Sequence, residues 1–230
     1  MNKTSRERDA EVARETILSA AEAVFAREGF DGARIDVIAS ESGYNKSLIF
    51  HYFDDKEGLY RASVARLKQR MRSEVFEPMQ AFVESSDEMN VTRVSLFLEM
   101  AIDRYLVFLT QHPRNLRMMA WEAAEGWHIF MGEPKKELER HKISLLCVAD
   151  FLQLAQKAGI INPKLNIRML LMSLANLCVV HLLNLPRYQG FLEEKIADFS
   201  SPDSLAYIRQ QIVQLVLHGI LASPGGGTST

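Results

Sequence analysis

Apolar residues in this chain recur three and four positions apart, and almost no segment alternates with the period of two that a half-buried strand requires. That spacing lays one apolar stripe along each of a series of helices, so the expected fold is all-α, with a core of helix packed on helix. The first helix is expected over residues 12–28, with Ile17, Ala20, Ala21, Val24 and Phe25 on one face and Gly29 as its stop. Two short helices follow, over 35–42 and 46–52, separated by a tight turn at Gly43, with Asn45 placed to cap the second. Capping-box spacing between Asp54 and Glu57 opens a fourth helix, which should pass Arg72 toward Pro78. Beyond a polar break at 84–90, helices are expected over 92–110, 113–124, 134–158, 165–185 and 202–221, with irregular connections at 126–133 and 186–201. The tail 223–230 lacks core-forming residues and should be disordered.

Composition excludes several classes. With 47% hydrophobic and 24% charged residues, the 230-residue chain reads as globular, and a formal net charge of -2 argues against coating nucleic acid by bulk charge. Cys147 and Cys178 lie far apart in apolar surroundings, which suits reduced thiols in a cytoplasmic protein rather than a disulfide or metal framework. The charged first thirty residues lack the apolar stretch of a secretory signal. The uncharged run 169–185 resembles a membrane span, but at 17 residues it falls short of the usual ~20 and carries Ser173, Asn176, His181 and Asn184, so no membrane partner is expected. Six scattered histidines offer no metal-ligand spacing, neither metal nor cofactor is implied, and no hydrolase, P-loop or dinucleotide motif points to catalysis.

Three helices, two of them short and joined through a glycine turn, form a compact unit able to present one helix to the major groove of B-DNA. Ile35, Ile38, Ala39, Ile49 and Phe53 can meet the apolar face of the first helix. That leaves Tyr44, Lys46, Ser47, His51, Tyr52 and Lys56 outward, a set suited to phosphates and base edges. Residues 17–56 and the four that follow, with AAEAVFAREGF and then DVIASESGYNKSLIFHYFDDKEGLY, resemble the TetR family of transcriptional regulators over about forty-five residues in order and spacing. The resemblance implies an N-terminal three-helix helix-turn-helix DNA-binding domain over 1–56 and a C-terminal helical ligand-binding and dimerisation domain over 57–222. Asn45, Lys46, His51, Tyr52 and Lys56 fit the family pattern. Arg34 stands where a small hydroxyl residue is usual, and would replace that contact with an ionic one. Phe50 stands where a tyrosine is common, which removes a phosphate hydrogen bond, and Leu48 replaces a small residue. Charge qualifies the reading, because residues 1–60 hold eight Lys/Arg against twelve Asp/Glu, a balance of -4.

A small head reads few base pairs, so a homodimer on a pseudo-palindromic double-stranded DNA operator is expected, with half-sites about one turn apart. The last two long helices are the candidate interface, through Leu170, Leu174, Leu177, His181, Ile208, Ile212, Leu215 and Val216. A segment rich in Met and aromatic residues suggests a pocket for a small-molecule effector, with Phe97, Met100, Tyr105, Arg117, Met118, Trp121, Trp127, His128 and Asn176 as candidate lining. The function expected is a repressor released from its operator by an apolar or aromatic small molecule. The rival readings are an activator or protein-binding co-regulator of the same fold, or a small helical enzyme.

Overall fold

A computed structural model describes residues 3–85, 87–132, 135–189 and 202–221. Its elements are α1 (Lys3–Gly32), α2 (Ile35–Ser42), α3 (Lys46–Phe53), α4 (Lys56–Met71), a π-helical turn (Arg72–Phe76), α5 (Glu77–Val83), α6 (Val91–Gln111), α7 (Pro113–Ala124), α8 (His128–Met131), α9 (Lys135–Lys157), α10 (Ile167–Gln189) and α11 (Pro202–Ile220). Among the described residues the only strand-like pairing is an isolated antiparallel bridge between Ile161 and Leu221. The all-α expectation therefore holds.

Two compact units result, Met1–Arg70 with His112–Lys135, and Met71–Gln111 with Lys136–Thr230. The segment 1–56 lies within the first unit, which continues through most of α4 and takes in α7 and α8. In that unit α1 packs against α2, α3 and α7. Ile17, Phe25, Ile38 and Ile49 are fully buried there, each stabilising by roughly 1.5–3 kcal/mol relative to exposure. Gly29 stops the regular helix as expected, at φ +72°, and a side chain there would meet the Trp121 ring at 3.0 Å. Gly43 closes α2 as a left-handed cap, at φ +74° and ψ +10°, with open space where a Cβ would stand.

An ion-pair cluster joins α1 to α4. Glu22 is 2% exposed and accepts from Arg66 Nε at 2.6 Å and from Arg70 at 3.2 Å, while Arg66 also reaches Glu15 at 2.7 Å. The Glu22 carboxylate holds the Arg66 guanidinium pKa above its ordinary value. Lys68, itself buried, donates to the Phe130 carbonyl and sits 4.1 Å from the centre of that ring.

In the second unit α6 packs against α5, α10 and α11. Phe82, Phe97 and Phe151 form an aromatic cluster with centroids 4.9–6.4 Å apart. Arg93 stacks over Phe82 and Phe151 and donates to the carbonyls of Phe82, Val83 and Ser85, so a cation satisfies the end of α5.

Several expectations require correction. The cap of α4 is Asp55, whose carboxylate accepts from the Gly58 N–H at 2.7 Å; Asp54 instead closes α3 at φ +63°. The fourth helix does pass Arg72, but through a π-helical turn. Helix α8 occupies part of the expected irregular connection, and α10 runs through Pro186 to Gln189. The length argument against a membrane span also fails, because α10 has 23 residues and its stretch Ile167–Leu185 has mean hydropathy 1.6 with 17% of that window buried. Most of the remaining connection and the whole of 223–230 fall outside the described residues.

Candidate nucleic-acid interface

The glycine turn sets the direction of α3. The Ser42 hydroxyl accepts from the Tyr44 N–H at 3.4 Å and donates to the Ala39 carbonyl at 3.2 Å, bracing the corner. Asn45 then caps α3, its side-chain oxygen accepting from the Leu48 N–H at 2.9 Å. Ile49 and Phe53 turn inward and are buried. Lys46, Ser47, Phe50 and His51 consequently share the exposed face, at the spacing that aligns side chains along one side of a helix.

The expected contact residues divide by what else they do. Ser47 and His51 are exposed, and Tyr52 is half-buried with its ring 5.4 Å from that of His51. Tyr44 is half-buried beside the turn. Asn45 is committed to its cap through one oxygen. Lys56 is committed as well: its ammonium donates to the Asp31 carbonyl at 3.1 Å and lies 4.8 Å from the Phe30 ring centre. Arg34 and Lys46 both pair with Asp36, Arg34 at 3.5 Å. Hydrogen bonding from Lys46 holds the Asp36 carboxyl below its ordinary pKa. The basic run along α4 serves the fold, with Arg61 pairing Glu57 at 2.6 Å and Arg66, Lys68 and Arg70 engaged as described.

Two members of this face escaped the sequence reading. Phe50, 41% exposed, presents an aromatic ring to solvent where sequence analysis noted only a missing hydroxyl. Asp36 meets the two cations only because the glycine corner brings the starts of α2 and α3 together. An exposed apolar ring and an acid set between two cations have no one-dimensional signature.

The candidate effector residues are not gathered by any one unit. Arg117, Met118, Trp121, Trp127 and His128 belong to the first unit, and Phe97, Met100, Tyr105 and Asn176 to the second. Trp121 packs on Gly29, Phe97 belongs to the aromatic cluster, Met118 is fully buried, and Trp127 stacks edge-on to Phe130 at 5.3 Å. Met100 is half-buried, while Arg117, His128 and Asn176 are exposed. Burial pushes the Tyr105 phenol pKa upward, with the Cys178 side chain nearby adding to the shift. A cleft of about 270 Å³ opens elsewhere in the second unit, lined by Asp103, Leu106, Val107, Thr110, Leu205, Ala206 and Arg209, none of them among the expected set.

The expected interface residues also need sorting. Leu170 of α10 and Ile208, Ile212 and Val216 of α11 are buried within the chain's own core, both helices packing against α6. Leu174, Leu177 and His181 are half-buried, and Leu215 is 66% exposed. Met169, Met172, Val180 and Leu183 of α10 and Tyr207 of α11 are exposed as well.

Comparison with known proteins agrees with this architecture. Residues 17–63 match the model for bacterial regulatory proteins of the tetR family, and 97–216 match a tetracyclin repressor-like C-terminal domain, which contains the apolar helix α10. The chain is 33% identical over 176 residues to the HTH-type transcriptional repressor SCO4008 of Streptomyces coelicolor, covering 75% of this chain and 81% of the relative. It is 25% identical over 201 residues to the repressor NicS of Pseudomonas putida, covering 84% and 86%. The fold matches a TetR family regulator from Marinobacter aquaeolei at TM-score 0.67 and 15% identity, covering 95% and 100% of the two chains. It also matches the ketosteroid regulator KstR2 of Mycobacterium tuberculosis at 0.65 and 18%, covering 91% and 95%. A capped helix with an exposed outward face, in a chain that matches this family over 17–63 and 97–216, makes the protein a DNA-binding transcriptional regulator of the TetR family.

Proposed function

We propose that the chain is a homodimeric repressor that inserts α3 into the major groove of a pseudo-palindromic operator and is released by an apolar or aromatic small molecule. The observation that carries the reading is the outward face of α3, where Lys46, Ser47, Phe50 and His51 project from a helix whose other side is buried. Ser47 and His51 offer hydrogen bonds to base edges, Phe50 suits a thymine methyl, and Lys46 and Arg34 suit phosphates. Residues 1–56 supply DNA binding, and 57–222 supply dimerisation and effector binding.

The exposed apolar residues of α10 and α11 support the pairing. Met169, Met172, Val180, Leu183, Tyr207 and Leu215 leave apolar surface that a second copy covers by an isologous contact. The effector acts by favouring a separation of the two heads that mismatches the operator.

Selection of duplexes bound by the purified chain tests the proposal: footprints should show two half-sites about one helical turn apart, roughly 34–36 Å. No preference among sequences at low ionic strength, without effector, overturns it. If no apolar or aromatic compound weakens operator binding, the release step fails while the DNA reading stands. Because few cations near α3 are uncommitted, the salt dependence of binding should imply fewer than about ten neutralised phosphates, each adding ~0.9 to the slope.

A further inference from the structure

We propose that Asp36 is an electrostatic counterweight on the DNA-facing surface: through Arg34 and Lys46 it lowers affinity for duplex phosphates of any sequence, without taking part in base recognition. The inference rests on the reading of α3 as the groove-inserted helix and concerns how strongly, rather than how selectively, that helix binds.

Three residues from two elements carry it. Arg34 precedes α2, Asp36 lies in its first turn, and Lys46 opens α3. The Asp36 carboxylate takes Arg34 through one oxygen, at 3.5 Å, and Lys46 through the other. Side-chain exposures of 74%, 47% and 55% make this a surface cluster, in which neither pairing does much to hold the fold. Its effect is on the field that a polyanion meets. Two cations sharing one carboxylate present one net positive charge.

The surroundings make that loss large. Lys56 is turned onto Phe30 and the Asp31 carbonyl, and Arg27 bridges Glu28 and Glu41 at 2.8 Å to each. Arg61, Arg66 and Arg70 pair with Glu57 and Glu22. Arg14, over the Phe53 ring at 5.3 Å, pairs with Glu15 at 3.4 Å, so Arg34 and Lys46 are the exposed cations at the starts of α2 and α3, and Asp36 stands against both. When phosphates arrive, Asp36 either keeps a cation from engaging one or remains within a Debye length, about 8 Å, of the backbone, and in both cases fewer phosphates are neutralised. Both outcomes oppose binding, and both are indifferent to sequence, because phosphates carry no base information.

The test compares the parent chain with Asp36→Asn, Asp36→Ser and the charge-retaining Asp36→Glu, on an operator duplex, on a scrambled duplex and on heparin resin. Both neutral variants should bind the two duplexes more tightly by similar factors and elute later from heparin. Their salt slope should steepen by about 0.9 for each further phosphate engaged, which is about threefold more affinity lost per contact over a fourfold rise in salt. Asp36→Glu should follow the parent, and adding Lys46→Gln to Asp36→Asn should remove much of the steepening. An unchanged slope, or a glutamate variant that behaves like the asparagine one, overturns the proposal. So does a loss confined to the operator, which would make Asp36 a base contact, since a carboxylate can accept from cytosine. If the parent shows no operator preference, the reading of α3 fails, while the heparin shift still decides the claim about Asp36.

Discussion

Asn45 and Gly29 show how single residues position the candidate interface. The Asn45 side chain satisfies the Leu48 N–H at the start of an eight-residue helix that has few other means of holding its first turn. Asn45→Ala should cost about 1 kcal/mol. It should also loosen operator binding, which thermal unfolding and duplex titration would show together; unchanged stability would mean the cap is dispensable. Gly29 combines a left-handed backbone with a Trp121 ring 3.0 Å from where a Cβ would stand. Gly29→Ala should destabilise by about 1–2 kcal/mol for the backbone alone, with overpacking adding to it. Pairing it with Trp121→Ala should recover only the packing part, and full recovery in a double-mutant cycle would show that the backbone conformation carries no cost.

At the scale of elements, α4 engages its cations in contacts within the fold. Glu22 sits buried between Arg66 and Arg70, so removing the carboxylate takes a shared partner from two guanidinium groups, one of them only 16% exposed, and leaves Arg66 paired with Glu15. Breaking such a pair costs up to about 3–5 kcal/mol when fully buried. Partial exposure of the arginines lowers the expectation for Glu22→Ala to about 2–3 kcal/mol, measurable by urea unfolding, and a loss under 0.5 kcal/mol would show the cluster to be ornamental. The same geometry explains what could be read in advance. The apolar period predicted most of the helices, and Gly29, Gly43 and Asn45 marked three of their ends, because those signals act within one turn of chain. The partners of Arg66, Lys68 and Lys56 lie tens of residues away, and nothing in local spacing identifies them.

For the whole molecule, the apolar surface left on α10 and α11 is the feature with the widest consequence. Met172 and Leu215 are 58% and 66% exposed, so Met172→Lys with Leu215→Glu should leave the helical signal intact while halving the mass seen by sedimentation. Operator affinity should fall steeply with it, because one head reads one half-site. A double variant that sediments like the parent would place the interface elsewhere. Cys178 gives a further check: burial pushes its thiol pKa up to about 12, so at pH 8 alkylation should reach the half-buried Cys147 first. Equal rates would show that α10 is more open than its packing implies.

Periodicity, glycine stops and the order of residues 17–56 were enough, in one dimension, to specify an all-helical chain with a helix-turn-helix head, because each is a local preference repeated along the backbone. Which cations are paired, which stripe of α11 the core consumes, and that Trp121 packs on Gly29 were settled only in three dimensions. Charge pairing and burial depend on what the fold brings within a few ångströms, and residues far apart in the chain carry no mutual mark until it has done so.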